Sequence, residues 1–142
     1  MFRRLDDTIL VAPQIGTDPV AAAVAQGVTL IINNRPEGES DDQVPGADIE
    51  AAARAAGIDY VAIPITHSGF SEVRVTAMAD ALENASGPVL AYCRSGTRST
   101  LLWALAQSSL GEHPAVLSEK AASAGYDLTP VAALMEILRA KA

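Results

Sequence analysis

The sequence predicts a three-layer α/β domain with a mostly parallel central sheet of about four to five strands flanked by helices. Three observations predict it. Short apolar runs rich in β-branched residues alternate along the chain with segments of helical period. One run, Val28-Thr29-Leu30-Ile31-Ile32, is apolar almost throughout, as a parallel strand covered on both faces requires. Glycine and proline punctuate nearly every change of period.

The elements follow in order. Ile9-Leu10-Val11-Ala12 reads as a strand closed by Pro13. Asp18-Pro19 starts a helix to about Gln26, with Asp18 as N-cap and Pro19 in the first helical position; Gly27 ends it. The Val28 strand empties into a polar loop, Asn33-Asn34-Arg35-Pro36-Glu37-Gly38-Glu39-Ser40-Asp41-Asp42. An alanine-rich helix over about 47–56 stops at Gly57, and 58–63 reads as a strand closed by Pro64. After the loop Thr66-His67-Ser68-Gly69-Phe70, Ser71 caps a helix whose Val75, Met78, Ala79 and Leu82 share one face. Val89-Leu90-Ala91-Tyr92 is the next strand, and Thr100-Leu101-Leu102-Trp103 begins a helix in which Trp103 belongs to the core. Residues 115–124 form a further helix. Thr129-Pro130 opens the last one, with Val131, Leu134, Met135 and Leu138 at i, i+3, i+4, i+7. No repeat or linker interrupts the chain, so 1–142 reads as a single domain.

Composition narrows the function. A net charge of −7 argues against nucleic acid and anionic membrane surfaces as partners. An anionic substrate must therefore be captured locally, by Arg94 and Arg98. One cysteine excludes an internal disulfide, which fits a reducing cytoplasm. No run of 18 apolar residues and no signal-peptide pattern is present. No cluster of His, Cys, Asp and Glu has metal-ligand spacing, so neither metal nor other cofactor is expected.

The chemistry gathers at Cys93-Arg94-Ser95-Gly96-Thr97-Arg98-Ser99. A buried strand, a tight loop and a helix N-terminus form an anion site from backbone N–H groups, the helix dipole and a forked guanidinium. A thiol at the mouth of that field is favoured as thiolate, the nucleophilic form. Arg98 is the candidate oxyanion clamp, and Arg94 either attracts substrate or points to solvent. Ser95, Gly96 and Thr97 build the loop, Gly96 supplying a turn with positive φ. Thr97 and Ser99 are also candidate N-caps of the following helix. Arg35 can brace this loop, touch substrate, or pair with Glu37 in a solvated loop. His67 is a candidate acid or substrate contact. Asp41 and Asp42 read as solvated loop charges rather than catalysts, although motion of that loop could bring one in as an acid.

The segment Asn33-Asn34-Arg35-Pro36-Glu37 and the Tyr92 to Ser99 loop together resemble the phosphatase-like domain of bacterial beta-lactamase-hydrolase-like proteins. The resemblance covers most of the chain and implies a fold similar to cysteine-dependent protein tyrosine and dual-specificity phosphatases. It also implies that Ser99, following the loop arginine, can hydrogen-bond the thiolate. Two departures stand out: Tyr92 replaces the histidine that precedes the cysteine in such phosphatases, and the 66–70 loop offers no general-acid Asp. Loop length departs too. Four residues separate Cys93 from Arg98, as in rhodanese loops, where tyrosine phosphatases have five.

Three functions remain open on these residues. The first is a phosphatase acting on a small anionic or phosphorylated molecule through a cysteinyl-phosphate at Cys93. The second is a sulfurtransferase carrying a persulfide on Cys93. The third is a non-catalytic oxyanion-binding or redox-sensing module.

Overall fold

The computed structural model describes residues 1–142. In chain order it contains β1 (Arg3–Asp6), β2 (Ile9–Ala12), α1 (Pro19–Ala25), β3 (Leu30–Asn33), α2 (Gly46–Ala55), β4 (Asp59–Ala62), α3 (Glu72–Asn84), β5 (Val89–Tyr92), α4 (Thr97–Ser109), α5 (Pro114–Ser123) and α6 (Ala132–Ala140). A single 3-10 turn, Thr129–Val131, precedes α6. The five strands are ordered β1-β2-β5-β3-β4, and only the β1–β2 pair is antiparallel. This is the three-layer, mostly parallel arrangement expected from the alternation of runs.

The period-2 side-chain geometry of β2 and β5 explains the layers. Ile9, Val11, Val89 and Ala91 join one buried cluster with residues of α3, α4, α5 and α6. Leu10, Ala12, Leu90 and Tyr92 join a second with Val20 and Ala23 of α1 and Ile49 and Ala53 of α2. Helix α4 lies in the thick layer, and its residues 99 to 106 are all buried. Trp103 is fully enclosed there, as expected for a core residue; truncation to alanine would cost about 3–5 kcal/mol.

Several local expectations are corrected. Strand β1 was not foreseen: Arg3-Arg4-Leu5-Asp6 is a polar edge strand with only Leu5 buried, so it lacks the apolar signature of the inner strands. Asp18 has helical dihedrals and makes no capping bond. Thr129-Pro130 opens a 3-10 turn rather than the α-helix itself. Ser71 does cap α3, its hydroxyl accepting from the Arg74 N–H at 3.3 Å.

Parallel pairing of β2, β5, β3 and β4 sends their carboxyl ends to one edge of the sheet. The loops after them therefore gather there, bringing Gln14, the 34–45 segment, Ile65 to His67 and Cys93 together.

Candidate active site

Cys93 follows the central strand directly. Its N–H donates to the Ala12 carbonyl at 3.4 Å, and its sulfur accepts the Gly96 N–H at 3.1 Å. That last bond requires the chain to fold back within three residues, which Gly96 permits at φ +87. A β-carbon at Gly96 would also meet the Tyr126 hydroxyl, which donates to the Ser95 carbonyl at 3.2 Å. The N–H groups of Arg94 and Ser95 make no hydrogen bond within the protein and remain available to an anion. Cys93 is free, and in this conformation it exposes none of its surface.

Gly96, rather than Thr97 or Ser99, is the N-cap of α4. Ser95 and Thr97 bond each other instead, Oγ to Oγ1 at 3.1 Å, with the Thr97 N–H on Ser95 at 3.4 Å. Ser99 is buried and donates to Asn34 Oδ1 at 2.8 Å. The Asn34 amide in turn donates to the Ile63 carbonyl at 2.9 Å, which fixes its orientation. The Ser99 hydroxyl proton is thus engaged by Asn34 rather than directed at the sulfur.

Arg98 is held from one side. Its Nη1 and Nη2 each reach a different oxygen of Glu39 at 2.8 Å, and Nη1 also donates to the Ile65 carbonyl at 2.9 Å. Its Nε–H has no acceptor by geometry within the protein, so the Nε–Nη2 edge of the fork stays open. The guanidinium pKa lies above its ordinary value, chiefly through the Glu39 hydrogen bonds, with Cys93 beside it adding to the shift. Glu39 is shifted the other way, from an ordinary 4.5 to about 2, chiefly by Arg98 and then by Arg35.

Arg35 is 4% exposed and completes the brace. Nε donates to Glu39 Oε1 at 2.9 Å, Nη1 to Gln14 Oε1 at 3.1 Å and Nη2 to Ser40 Oγ at 3.0 Å. It pairs with Glu39, not Glu37. Glu37 accepts the Gly46 N–H at 2.9 Å, at the start of α2. So Arg35 is linked through Glu39 to Arg98 on the first turn of α4.

Beneath this lies a second polar group. Asn33 Nδ2 donates to the Tyr60 hydroxyl at 2.9 Å, and Asn33 Oδ1 accepts the Arg35 N–H at 2.9 Å. The Tyr92 hydroxyl is buried without a hydrogen-bond partner of good geometry. Burial first, and Tyr60 second, push its phenol pKa up, so it stays neutral. Its ring packs on the α1–α2 side of the sheet, away from the α4 layer.

Arg94 and His67 are exposed. With Glu39, Thr66 and Arg98 they line a depression of about 390 Å³. Asp42 is exposed and accepts from Ser40 Oγ at 2.6 Å, a solvated loop charge as expected; Ser40 lowers its pKa. The structure thus brings Cys93, Arg98, Arg94, His67 and, through Glu39, Arg35 to one place. Three contributors went unread in the sequence: Glu39, Asn34 and Gln14. For Glu39 the only local signal was its four-residue spacing from Arg35, and in a loop that spacing carries no geometric meaning.

Residues 1–110 match the profile of the beta-lactamase hydrolase-like protein, phosphatase-like domain. The chain belongs to that family. It is 36% identical over 104 residues to the beta-lactamase hydrolase-like protein of Xylella fastidiosa strain Temecula1, a match covering 72% of this chain and 24% of that protein. The matched region is thus about a quarter of the length of that relative. Among solved structures, nma1982 of Neisseria meningitidis Z2491, assigned to the phosphatases, is similar at 28% identity and TM-score 0.83, over 96% of this chain and 97% of that one. The fold is also that of PTPMT1, solved in complex with PI(5)P, at 15% identity and TM-score 0.74, covering 99% and 97% of the two chains. The fold is therefore protein tyrosine phosphatase-like, as the resemblance implied.

Proposed function

We propose that this domain is a phosphomonoesterase with Cys93 as nucleophile. The carrying observation is the sulfur bonded by the Gly96 N–H at 3.1 Å, beside a guanidinium whose outer edge is fixed by Glu39 and whose inner edge is open. The thiolate attacks phosphorus while the free amides of Arg94 and Ser95 and the Nε–Nη2 edge of Arg98 hold the equatorial oxygens. The P–O bond to the alcohol breaks, leaving a cysteinyl-phosphate that water then hydrolyses to phosphate and free thiol. The departing oxygen needs a proton. Glu39, held at about 2, is ionised at neutral pH and cannot give one, so His67 on the rim takes that role.

The four-residue spacing between Cys93 and Arg98 favours a second reading, sulfur transfer, because a tighter ring suits one sulfur atom better than a phosphate. There Cys93 takes sulfane sulfur from a donor such as thiosulfate, releasing sulfite, and passes it to an acceptor thiolate. No general acid is needed.

Two assays separate these. An aryl phosphate and, in parallel, thiosulfate with cyanide are offered to the native and Cys93→Ser proteins. Phosphate release lost in the variant supports the first reading, and thiocyanate production the second. Activity in neither, with anion binding retained, leaves the binding or redox module. Because Cys93 is enclosed, iodoacetamide alkylation of the folded protein is a further check: a thiol that never reacts excludes both nucleophilic readings.

A further inference from the structure

We propose that the depression beside Cys93 takes a small, non-aromatic ligand bearing two anionic groups, one over the sulfur and the other on Arg94. This rests on the oxyanion-site reading above and extends it to the class of ligand.

The walls carry the first part. Glu39, Thr66, His67, Arg94 and Arg98 line the opening, and none is apolar. An aromatic phosphoester gains affinity by laying its ring against apolar or aromatic side chains, which this opening lacks. The aromatic residues nearby are engaged elsewhere. Phe70 lines a separate groove with Val75 and Leu138, and Tyr126 is tied to the Ser95 carbonyl.

The cations carry the second part. Arg35 is fully committed to Glu39, Gln14 and Ser40, and Arg98 has given its outer edge to Glu39. Arg94 differs: it is exposed, forms no ion pair, and its side chain makes no hydrogen bond. Its whole fork is free for an anion on the same rim. Asp42 feels the charge of Arg94 but does not pair with it, its Oδ1 accepting from Ser40 instead. With the chain at −7, the long-range field repels anions, and a tetra-anion more than a dianion, so it supplies no preference for a second anionic group. That discrimination falls to a local contact, and Arg94 is the unpaired cation lining the opening.

The test uses Cys93→Ser protein, which cannot form the covalent intermediate, and calorimetric titration. The probes are two matched pairs, fructose 6-phosphate against fructose 1,6-bisphosphate and myo-inositol 4-phosphate against myo-inositol 4,5-bisphosphate, together with phosphotyrosine. One charge-assisted bidentate contact predicts that at least one bisphosphate binds about tenfold tighter than its monophosphate or better. Adding Arg94→Gln should reduce that ratio to about twofold or less, whereas Arg54→Gln, removing a charge paired with Glu50 on α2, should leave it intact. Ratios below about threefold for both pairs overturn the proposal. So does equal loss from Arg94→Gln and Arg54→Gln, or tightest binding by phosphotyrosine. Failure of the phosphatase reading looks different: native protein releases no phosphate while Cys93→Ser still discriminates, and the ligand class then stands without that reaction.

Discussion

Two loops meet at the carboxyl edge of the sheet, and they contribute in opposite ways. The β5–α4 loop is short, runs from strand to helix in four residues, and holds the sulfur and the free amides, with Arg98 following on the first turn of α4. The β3–α2 loop, residues 34–45, is three times as long and supplies no nucleophile. It provides Glu39, which fastens Arg98 by its outer edge, and Arg35, which fastens Glu39. In the proposed chemistry the first loop and the α4 turn after it carry the reacting groups, and the second loop fixes their orientation. An arginine that must present one edge to an anion loses much of its value if the long side chain swings freely, because the ordering entropy is then lost on binding. The acidic loop thus fastens Arg98 without supplying a reacting group of its own to the proposed chemistry.

Substitutions can break or sharpen that contrast. The largest effect belongs to the short loop: Cys93→Ser should abolish turnover, by about four orders of magnitude or more in kcat. Arg98→Lys keeps the charge but loses the fork, and should cost about 10²–10³-fold in kcat/KM, read from initial rates. Glu39→Gln should cost less, about 10- to 100-fold, because it misplaces the clamp without removing it. An effect as large as that of Arg98→Lys would place Glu39 in the chemistry and undo the division between the loops.

Glu39 also makes a prediction about pH. Its pKa in the fold, about 2, lies below the ordinary 4.5, so the ion pair contributes stability that is present above about pH 4.5. That contribution is lost as the pH falls towards 2. The difference in Tm between native protein and Glu39→Gln should therefore be larger at pH 7 than at pH 2.5; a constant difference would deny the ion pair its role. Smaller still in activity, Asn34→Ala should leave the chemistry recognisable but lower stability by about 1–3 kcal/mol in urea unfolding, since it strands the buried Ser99 hydroxyl.

How much of this was legible follows from where each signal is stored. The inner strands were readable because a strand covered on both faces must be apolar for its whole length, as Ile9 to Ala12 and Val89 to Tyr92 are. Strand β1 lies at the edge, with three of its four residues not buried, and wrote no such record. The Cys93 loop was readable because its parts are neighbours in sequence and the geometry of strand, turn and helix is local. Even there, the cap of α4 went to Gly96 and the Ser99 hydroxyl turned to a partner 65 residues away.

By itself, then, the sequence determined the layered α/β architecture and the strand–turn–helix segment that carries the single sulfur, consequences of short-range periodicity and backbone geometry. Only the tertiary structure decided that Arg98 is held by Glu39, 59 residues distant, and that Arg94 is left unpaired. Those facts depend on β3 lying beside β5, a crossover pairing that no local pattern of charges encodes.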